Sequence, residues 1–426
     1  MQHSLRVFVV FLLGFAVLAV YRFDEAQKLT GYPTASLTPA QDLVARGKYL
    51  ATAADCMPCH TGPDHAPFSG GLVFKTPFGS IVSPNITPDK ATGIGGWSDS
   101  QFYTALHEGI APGHSWLFFP KYLYPAMPYT AYTKLSYSDV MAIKAYLNSL
   151  PPTHTSNPQN HLAFPFNQRP TLFVWRLFFF KSGPMMINPS WNQATINGAY
   201  LTLALGHCSE CHTPRNFMQA SIANKMFAGA PVDGLFAPNI SSDAAYGLGS
   251  WKPQALIDYL HTGYSPEGGS AYGAMQTVIA NSTSQLPQAD IAEMAEYLQH
   301  ATTPQSTPPL HTASDAFSSV PRGQALYASY CSACHGENGE GIPHFSPNLA
   351  NNASVTATLP NNIIGVVLNG LKNENSPELS MPSFASRLDN QQIADITNYV
   401  RTAWKNQSKA DATATQVQRQ RKNKAQ

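Results

Sequence analysis

Three short motifs of the form C-x-x-C-H are the residues of this sequence best suited to chemistry. They read CMPCH, CSECH and CSACH, and together they hold all six cysteines of the 426-residue chain. Six cysteines in an exported protein would ordinarily indicate three disulfides, but disulfide pairing gives no reason for a histidine after every second cysteine. The motif residues are Cys56, Cys59 and His60, then Cys208, Cys211 and His212, then Cys331, Cys334 and His335.

Zinc binding and dithiol redox chemistry fit this spacing poorly. A zinc site would need two C-x-x-C pairs sharing one ion, or a downstream H-x-x-x-H, whereas these pairs lie far apart along the chain. A thioredoxin-like dithiol would need a single motif in a βαβ setting. In C-x-x-C-H the two thiols add across the vinyl groups of one haem, and the next residue places an imidazole under the iron. The sequence therefore predicts three covalently bound haem c groups.

Other features recur in the same order around each motif, which indicates three tandem repeats. A glycine and a tyrosine precede each motif on a predicted helix, and a Pro-Asn-aliphatic triplet follows it. The proline carbonyl is a suitable acceptor for the outer N–H of the ligating histidine, although a turn proline is the simpler alternative. The glycine–tyrosine pairs are Gly47/Tyr49, Gly198/Tyr200 and Gly323/Tyr327, and the prolines are Pro84, Pro238 and Pro347.

Each repeat continues with a helix that ends at glycine and closes with a helix that has one apolar face. We expect the closing helix to pack on the first helix of its repeat and to enclose the haem. The predicted fold is therefore mainly α, with three tandem class I cytochrome c-like domains and long loops. The helix-ending glycines are Gly109, Gly263 and Gly370, and the predicted domains are 36–150, 191–301 and 319–405.

The sixth ligand of each iron is predicted to be a methionine between the glycine and the closing helix. Met127 and Met381 precede proline, and Met275 does not. A methionine at an arbitrary position more often packs in a core, but these three recur at one place in each repeat. The competing residues are His107, His261, His114 and His344. His/Met ligation leaves no coordination position open for substrate.

Composition and the N-terminus limit the other possibilities. The net charge is +1 and charged residues make up 12% of the chain, which gives no indication of nucleic-acid binding. The apolar run Val7–Tyr21 follows Arg6 and is short for a spanning helix. Residues 1–27 are therefore predicted to be a signal peptide or an N-terminal anchor, and either one exports the chain.

Three functions remain open at this point. An electron relay that serves a partner protein is favoured over a catalyst, because the sequence carries no nucleotide-binding fingerprint, P-loop or nucleophile elbow. A catalytic multi-haem peroxidase or reductase would need one haem with an open position. A stand-alone soluble electron carrier would have no dedicated partner.

The motifs together resemble one known family, the tri-haem cytochrome c subunits of bacterial membrane-bound alcohol and gluconate dehydrogenases. The resemblance covers about residues 40–405 and is carried by RGKYLATAADCMPCHT, SPNITPDKATGIGGWSD, YPAMPY, FPFNQRP, GHCSECHTPRN and CSACHG with MPSF. It implies His/Met ligation by the three motif histidines with Met127, Met275 and Met381, and no catalytic residue in this chain.

The resemblance also implies partners and a location. The electrons would come from a large catalytic dehydrogenase subunit with a flavin or quinone cofactor, with or without a further small subunit. They would pass to ubiquinone in the respiratory chain, at the membrane surface on the periplasmic side of the bacterial inner membrane.

Three segments lie outside the predicted domains. Residues 151–190 form an aromatic and basic interdomain segment, which either packs between the first two domains or is an interfacial element near lipid or quinone. Residues 302–318 are predicted to be a flexible Pro/Ser/Thr linker. Residues 406–426 are predicted to be a basic, disordered tail.

Overall fold

A computed structural model describes most of the chain from residue 42 onward. The described residues are 42–423 except 116–118, 158, 267–268, 307–315, 343–344, 351, 372–379, 405 and 407. The predicted signal peptide or anchor, 1–27, lies outside them. In the described part, no helix has the length and apolar character needed to cross a membrane.

The chain divides into two compact units, and helices dominate both, as predicted. The first unit covers Met1–Ser190 and Leu203–His207, and the second covers Trp191–Thr202 and Cys208–Gln426. The segment predicted to connect the first two domains, 151–190, thus belongs wholly to the first unit.

The helices of the first unit carry the first motif and the segment after it. They are α1 (Leu43–Ala53), α2 (Cys56–Cys59), α3 (Asp99–Glu108), α4 (Tyr129–Tyr132), α5 (Tyr137–Ser149) and α6 (Thr171–Phe179). Its strands are β1 (Val73–Thr76), β2 (Gly79–Val82), β3 (Ile110–His114), β4 (Pro120–Tyr122) and β5 (His161–Leu162). All pairings are antiparallel: β1 with β2, β2 with β5, and β3 with β4.

The second unit carries the other two motifs. It begins with α7 (Gln193–Ala199), which runs into a π-helical turn, Tyr200–Leu205, whose last three residues belong to the first unit. It continues with α8 (Ser209–His212), α9 (Pro253–Thr262), α10 (Ala274–Asn281) and α11 (Gln288–Glu296). Then follow α12 (Ala316–Tyr330), α13 (Ser332–His335), α14 (Ala353–Thr356), α15 (Asn361–Asn369), α16 (Asn390–Thr402) and α17 (Ala414–Asn423). The short hairpins are β6 (Ala230–Val232) with β7 (Leu235–Ala237), and β8 (Tyr264–Ser265) with β9 (Gly269–Ser270).

Three helix pairs pack in the same way, each formed by the helix before a motif and the closing helix of the same repeat. They are α1 with α5, α7 with α11, and α12 with α16. Each crossing is centred on a glycine, because a Cβ there would lie only 1.9–2.0 Å from a carbonyl oxygen of the partner helix. These glycines and the facing carbonyls are Gly47 with Ala142, Gly198 with Glu293, and Gly323 with Asp395.

Apolar residues of the closing helices fill the space behind each crossing. Val140 and Ile143 of α5 are at most 1% exposed, and Ile291 of α11 and Ile393 of α16 are fully buried. These are positions of the apolar face that the sequence predicts. The glycine allows two backbones to approach, and burial of the apolar face then holds them together.

Side chains bridge two of the crossings with an ion pair. Arg46 Nε donates to Asp139 at 2.9 Å, and Arg322 Nε donates to Asp395 at 2.8 Å. In the second repeat asparagine replaces arginine, and Asn197 Nδ2 donates to Glu293 at 3.0 Å. The repeats thus share one backbone arrangement and differ in the polar contact across it.

The prediction of a flexible linker over 302–318 is wrong at both of its described ends. Thr302 is 6% exposed, and the Gln305 amide donates to the Ser241 hydroxyl at 3.0 Å. At the other end the chain already belongs to α12. The intervening residues 307–315 lie outside the described part. A polar composition suggested flexibility, but hydroxyl groups of the second repeat provide partners that composition cannot reveal.

The disordered tail predicted over 406–426 is also wrong. Helix α17 packs on α15 and α16, with Val417 fully buried. Arg421 Nη2 donates to the Leu388 carbonyl at 3.0 Å. The basic composition concealed this helix, because a single buried valine and inward-turned polar side chains are enough to dock it.

The crossing glycines give a direct test of the fold. Gly47→Ala should destabilise the protein by about 1–3 kcal/mol, because the new methyl group forces two backbones apart. Denaturant unfolding of the haem-loaded protein, followed by circular dichroism, measures the change. Gly96→Ala is the control, since its nearest neighbour would lie 3.6 Å from the new Cβ. Equal stability of both variants would contradict the close crossing.

Candidate functional site

The three motif histidines are held by the same hydrogen bond. His60 Nδ1 lies 2.8 Å from the Pro84 carbonyl oxygen, and His212 Nδ1 lies 2.7 Å from that of Pro238. In the third repeat the corresponding distance, from His335 to the Pro347 carbonyl, is 3.1 Å. A carbonyl only accepts, so each Nδ1 carries the proton and each Nε2 has a free lone pair. This is the tautomer that an Nε2 iron ligand requires.

Burial keeps these imidazoles neutral. It lowers the pKa of His60, His212 and His335, and the bond to the proline carbonyl offsets part of that effect. A neutral imidazole is the form that coordinates a metal. The proline bond and burial thus favour the same protonation state.

The motif cysteines are placed by one turn of helix. In each motif the histidine amide donates to the carbonyl of the first cysteine, at 3.0–3.1 Å. This i to i+4 bond puts the two thiols and the imidazole on one face of the turn. None of the six cysteines forms a disulfide with another, which argues against the disulfide interpretation.

The thiols do not have the character of a redox dithiol. Burial raises the pKa of Cys56 and of Cys208 to about 12, and that of Cys331 to about 11. Reactive dithiols need a lowered thiol pKa, so these cysteines are unsuited to thiol–disulfide exchange. Paired thiols on one face with an imidazole whose Nε2 is available for iron fit the attachment of haem c.

In each repeat a glycine lies against the Pro-Asn-aliphatic triplet in space, and the sequence did not reveal this site residue. Gly70, Gly229 and Gly341 donate their amides to the carbonyls of the three motif histidines, at 2.7–2.9 Å. Their φ angles are 78°, 83° and 69°, in the left-handed region that favours glycine. A Cβ at any of them would lie within 3.0 Å of backbone in or beside the Pro-Asn triplet. Glycine therefore lets the proline carbonyl approach the histidine.

The asparagine of each triplet also has a role that sequence reasoning did not assign. Asn85 Nδ2 donates to the Thr153 carbonyl at 2.7 Å, just after the closing helix α5. Asn239 makes the equivalent bond, at 2.7 Å, to the Gln305 carbonyl. The asparagine thus ties the proline of its triplet to the end of the repeat. The recurrence of Asn directly after Pro was the available signal.

The predicted methionine loops meet the helix-ending glycines in all three repeats. The Gly109 carbonyl accepts from the amide four residues before Met127, at 2.8 Å, and the Gly263 carbonyl accepts from the amide four residues before Met275, at 2.7 Å. This common register supports the alignment of these two methionines. In the third repeat the contact differs, because the Met381 carbonyl accepts from Leu371 at 2.9 Å.

The methionines are half-buried. Met381 packs on the same buried cluster as Cys331 of the third motif. Met275 occupies the first turn of α10, a helical setting instead of the proline-bounded loop seen at the other two sites.

The competing histidines have other surroundings. His107 lies in the last turn of α3, is 3% exposed, bonds the Glu108 carboxylate at 2.6 Å and stacks on Tyr103. His114 is exposed and His261 is half-buried. His344 lies outside the described residues.

Comparisons with known proteins agree with the motif chemistry. The family model for cytochrome c matches residues 320–404. The chain is 36% identical over 370 residues to a subunit of nicotinate dehydrogenase from Pseudomonas putida, across 84% of this chain and 30% of that protein. It is 35% identical over 407 residues to the fructose dehydrogenase cytochrome subunit of Gluconobacter japonicus, across 88% of this chain and 82% of that protein. It is 33% identical over 445 residues to the gluconate 2-dehydrogenase cytochrome c subunit of Pantoea cypripedii, across 99% of this chain and 96% of that protein. The chain thus spans under a third of the first relative and most of the other two.

The triplet asparagines predict a graded effect on stability. Asn85→Ala should cost about 1–3 kcal/mol, because it leaves buried donors and acceptors without partners. Asn348→Ala should cost less, about 1 kcal/mol or below, since among the described residues its side-chain amide donates only to the Ala350 carbonyl at 3.1 Å and its Oδ1 has no partner. Denaturant unfolding of both variants measures the order. A larger loss for Asn348→Ala would contradict this role of the triplet.

Proposed function

This chain belongs to the family of cytochrome c subunits of dehydrogenases, and we propose that it is a tri-haem subunit that carries electrons from a catalytic dehydrogenase subunit to ubiquinone. Membership implies covalently bound haem c and makes the chain an electron-transfer subunit, not the catalytic one. The observation that carries the tri-haem proposal is the same histidine–proline bond at all three C-x-x-C-H motifs.

At each of the three sites the same residue types would have the same roles. Haem c supplies a one-electron redox couple when it is bound. The two cysteines would hold it covalently, and the histidine Nε2 would ligate the iron from a ring fixed by the proline carbonyl. Met127, Met275 and Met381 would supply the remaining iron ligand at the three sites, which would prevent binding of substrate or oxygen and raise the reduction potential.

The proposed partner is a large dehydrogenase subunit with a flavin or quinone cofactor, acting on an alcohol, gluconate or a related substrate. Oxidation of an alcohol to a carbonyl compound releases two electrons and two protons, and reduction of ubiquinone consumes two of each. The chain would pass the electrons one at a time. We place this complex, with or without a further small subunit, on the periplasmic side of the inner membrane.

Three exposed apolar side chains of one segment, together called the exposed patch, support contact with the membrane surface. Phe164, Phe178 and Met186 are 80%, 70% and 86% exposed, and all three lie in the first unit. The segment 162–190 contains three basic side chains and no acidic one. Exposed apolar side chains together with the exposed cation Lys181 and the absence of acidic residues from this segment suit the interface of an anionic lipid bilayer.

Replacement of each proposed methionine tests the ligand set. Met127→Ala, Met275→Ala and Met381→Ala should each allow one carbon monoxide molecule to bind per reduced chain, because each opens one iron. The unmutated protein should bind none. Absorption spectroscopy of the reduced protein under carbon monoxide measures this, alongside haem content by the pyridine haemochrome assay.

The control for this experiment is Met186→Ala, which removes a methionine from the exposed patch. Carbon monoxide binding by the unmutated protein would contradict His/Met ligation at all three sites and would favour a catalytic multi-haem enzyme. Fewer than three haems per chain would contradict the tri-haem proposal.

Replacement of the exposed patch tests membrane contact. The triple variant Phe164→Ser, Phe178→Ser, Met186→Ser should shift the protein from the membrane to the soluble fraction, since it removes the apolar surface available to lipid. Phe217→Ser is the matched control, because Phe217 is 84% exposed and lies outside the patch. Unchanged retention of the triple variant would contradict this contact.

A further inference from the structure

The motif FPFNQRP and the helix after it have no role in haem attachment, yet they pack against the loop that carries Met127. We propose that Arg169 and Arg176 are positioning residues of the first haem site: they hold the Met127 loop, and the unpaired charge of Arg169 raises the reduction potential of that haem. The proposal rests on Met127 as the proposed axial ligand.

Arg169 holds the loop on the side before Met127. Its Nη1 donates to the Tyr122 carbonyl at 2.5 Å, and its guanidinium carbon lies 4.8 Å from the centre of the Tyr124 ring. The Tyr124 hydroxyl in turn donates to the Phe166 carbonyl at 3.0 Å, within the FPFNQRP motif. Backbone, ring and hydroxyl contacts thus fix Tyr122 and Tyr124 at the beginning of this loop.

Arg176 holds the loop on both sides of Met127. Its guanidinium carbon lies 5.1 Å from the Tyr122 ring and 5.5 Å from the Tyr129 ring. Its Nη1 donates to the Glu108 carbonyl, which directly precedes the helix-ending Gly109. One side chain therefore joins the helix end to the loop through its planar face and its N–H groups.

These contacts are particular to the first repeat. Every cation–π contact among the described residues involves Arg169 or Arg176. The Met275 site is instead held by α10, and Met381 by its backbone bond to Leu371. The three sites therefore share their histidine side and differ on their methionine side.

The two arginines differ in their charge balance. Arg176 Nη2 lies 3.7 Å from the Glu108 carboxylate, which offsets its charge. In the described part of the chain, no carboxylate oxygen lies within 4.0 Å of the Arg169 guanidinium nitrogens.

Burial lowers the pKa of Arg169, but a guanidinium remains cationic in proteins. A fixed positive charge in a poorly solvated place disfavours the ferric state more than the ferrous state. It therefore raises the potential of the neighbouring haem.

The test separates the positioning of the Met127 loop from the effect of the Arg169 charge on the reduction potential. Arg169→Ala removes both the loop contacts and the positive charge. The reduced variant should therefore bind carbon monoxide at one haem per chain, and one of its three potentials should fall. Arg169→Lys keeps the charge but loses the planar fork, so its potential should stay closer to that of the unmutated protein. Potentiometric titration followed by absorption spectroscopy measures the three potentials. Spectra of the reduced protein under carbon monoxide measure ligand binding, and the charge-transfer band of the ferric protein reports Met ligation.

Lys181→Ala is the matched control, since Lys181 is an exposed cation of the same segment; it should change neither measurement. An Arg169→Ala variant with unmutated potentials and no carbon monoxide binding would overturn the proposal. Equal potential shifts in Arg169→Ala and Arg169→Lys would overturn the charge effect.

Met127→Ala distinguishes failure of this proposal from failure of the proposed ligand. If Met127→Ala leaves carbon monoxide binding and all potentials unchanged, the ligand assignment is wrong and the positioning role falls with it. If Met127→Ala opens one haem while Arg169→Ala behaves as the unmutated protein, the ligand stands and the positioning role is refuted. The potential displaced in Met127→Ala also identifies which of the three should move in Arg169→Ala.

Discussion

In each repeat one hydrogen bond, from the histidine of the C-x-x-C-H motif to a proline carbonyl, sets the orientation of the imidazole, and much of the repeat serves to keep that carbonyl in place. A left-handed glycine lets the proline peptide approach, as at Gly70. In the first two repeats the neighbouring asparagine ties the peptide to the chain after the closing helix, and that helix meets the first helix at a glycine. In these two repeats the histidine is therefore linked to the helix crossing through two side-chain hydrogen bonds and the chain between them. Such a series suits an electron carrier, because a fixed ligand geometry changes little between the two redox states.

The repeats differ in ways that composition does not reveal. The third is compact, and its Asn348 bonds within its own loop at Ala350 instead of reaching the end of the repeat. The docked helix α17 supplies the corresponding closure there, since it covers α15 and α16. The first repeat gains the segment 151–190, whose strand β5 extends the sheet and whose arginines reach the methionine loop. Divergence is therefore concentrated away from the histidine, on the methionine side and at the chain ends of the repeats.

The sequence predicted the parts of the molecule that depend on short-range patterns. The C-x-x-C-H turn, the proline acceptor and the buried face around Ile143 each follow from spacing alone, and the structure has all three. The docking of Arg421 on Leu388 and the bond from Gln305 to Ser241 did not follow, because they join residues far apart in sequence whose polar composition suggests solvent. The roles of Gly70 and Asn85 were missed for a related reason. Their recurrence was visible, but only the fold places the glycine against the proline peptide and the asparagine beside Thr153.

The second and third repeats lie in one compact unit, and their contacts bear on how electrons would pass between their sites. Asn362 accepts from the Phe236 amide at 2.8 Å and donates to the Phe236 carbonyl at 2.9 Å, so helix α15 holds strand β7 as a neighbouring strand would. Gln420 of α17 donates both to the Gly234 carbonyl at 3.0 Å and to the Asn361 carbonyl at 3.1 Å, which closes the same junction. Electron transfer between two cofactors needs a short separation that is kept constant. A flexible linker would leave that separation to diffusion, whereas these side-chain bonds fix the two repeats as one body. The helix that composition presented as a tail thus has a reason to be ordered.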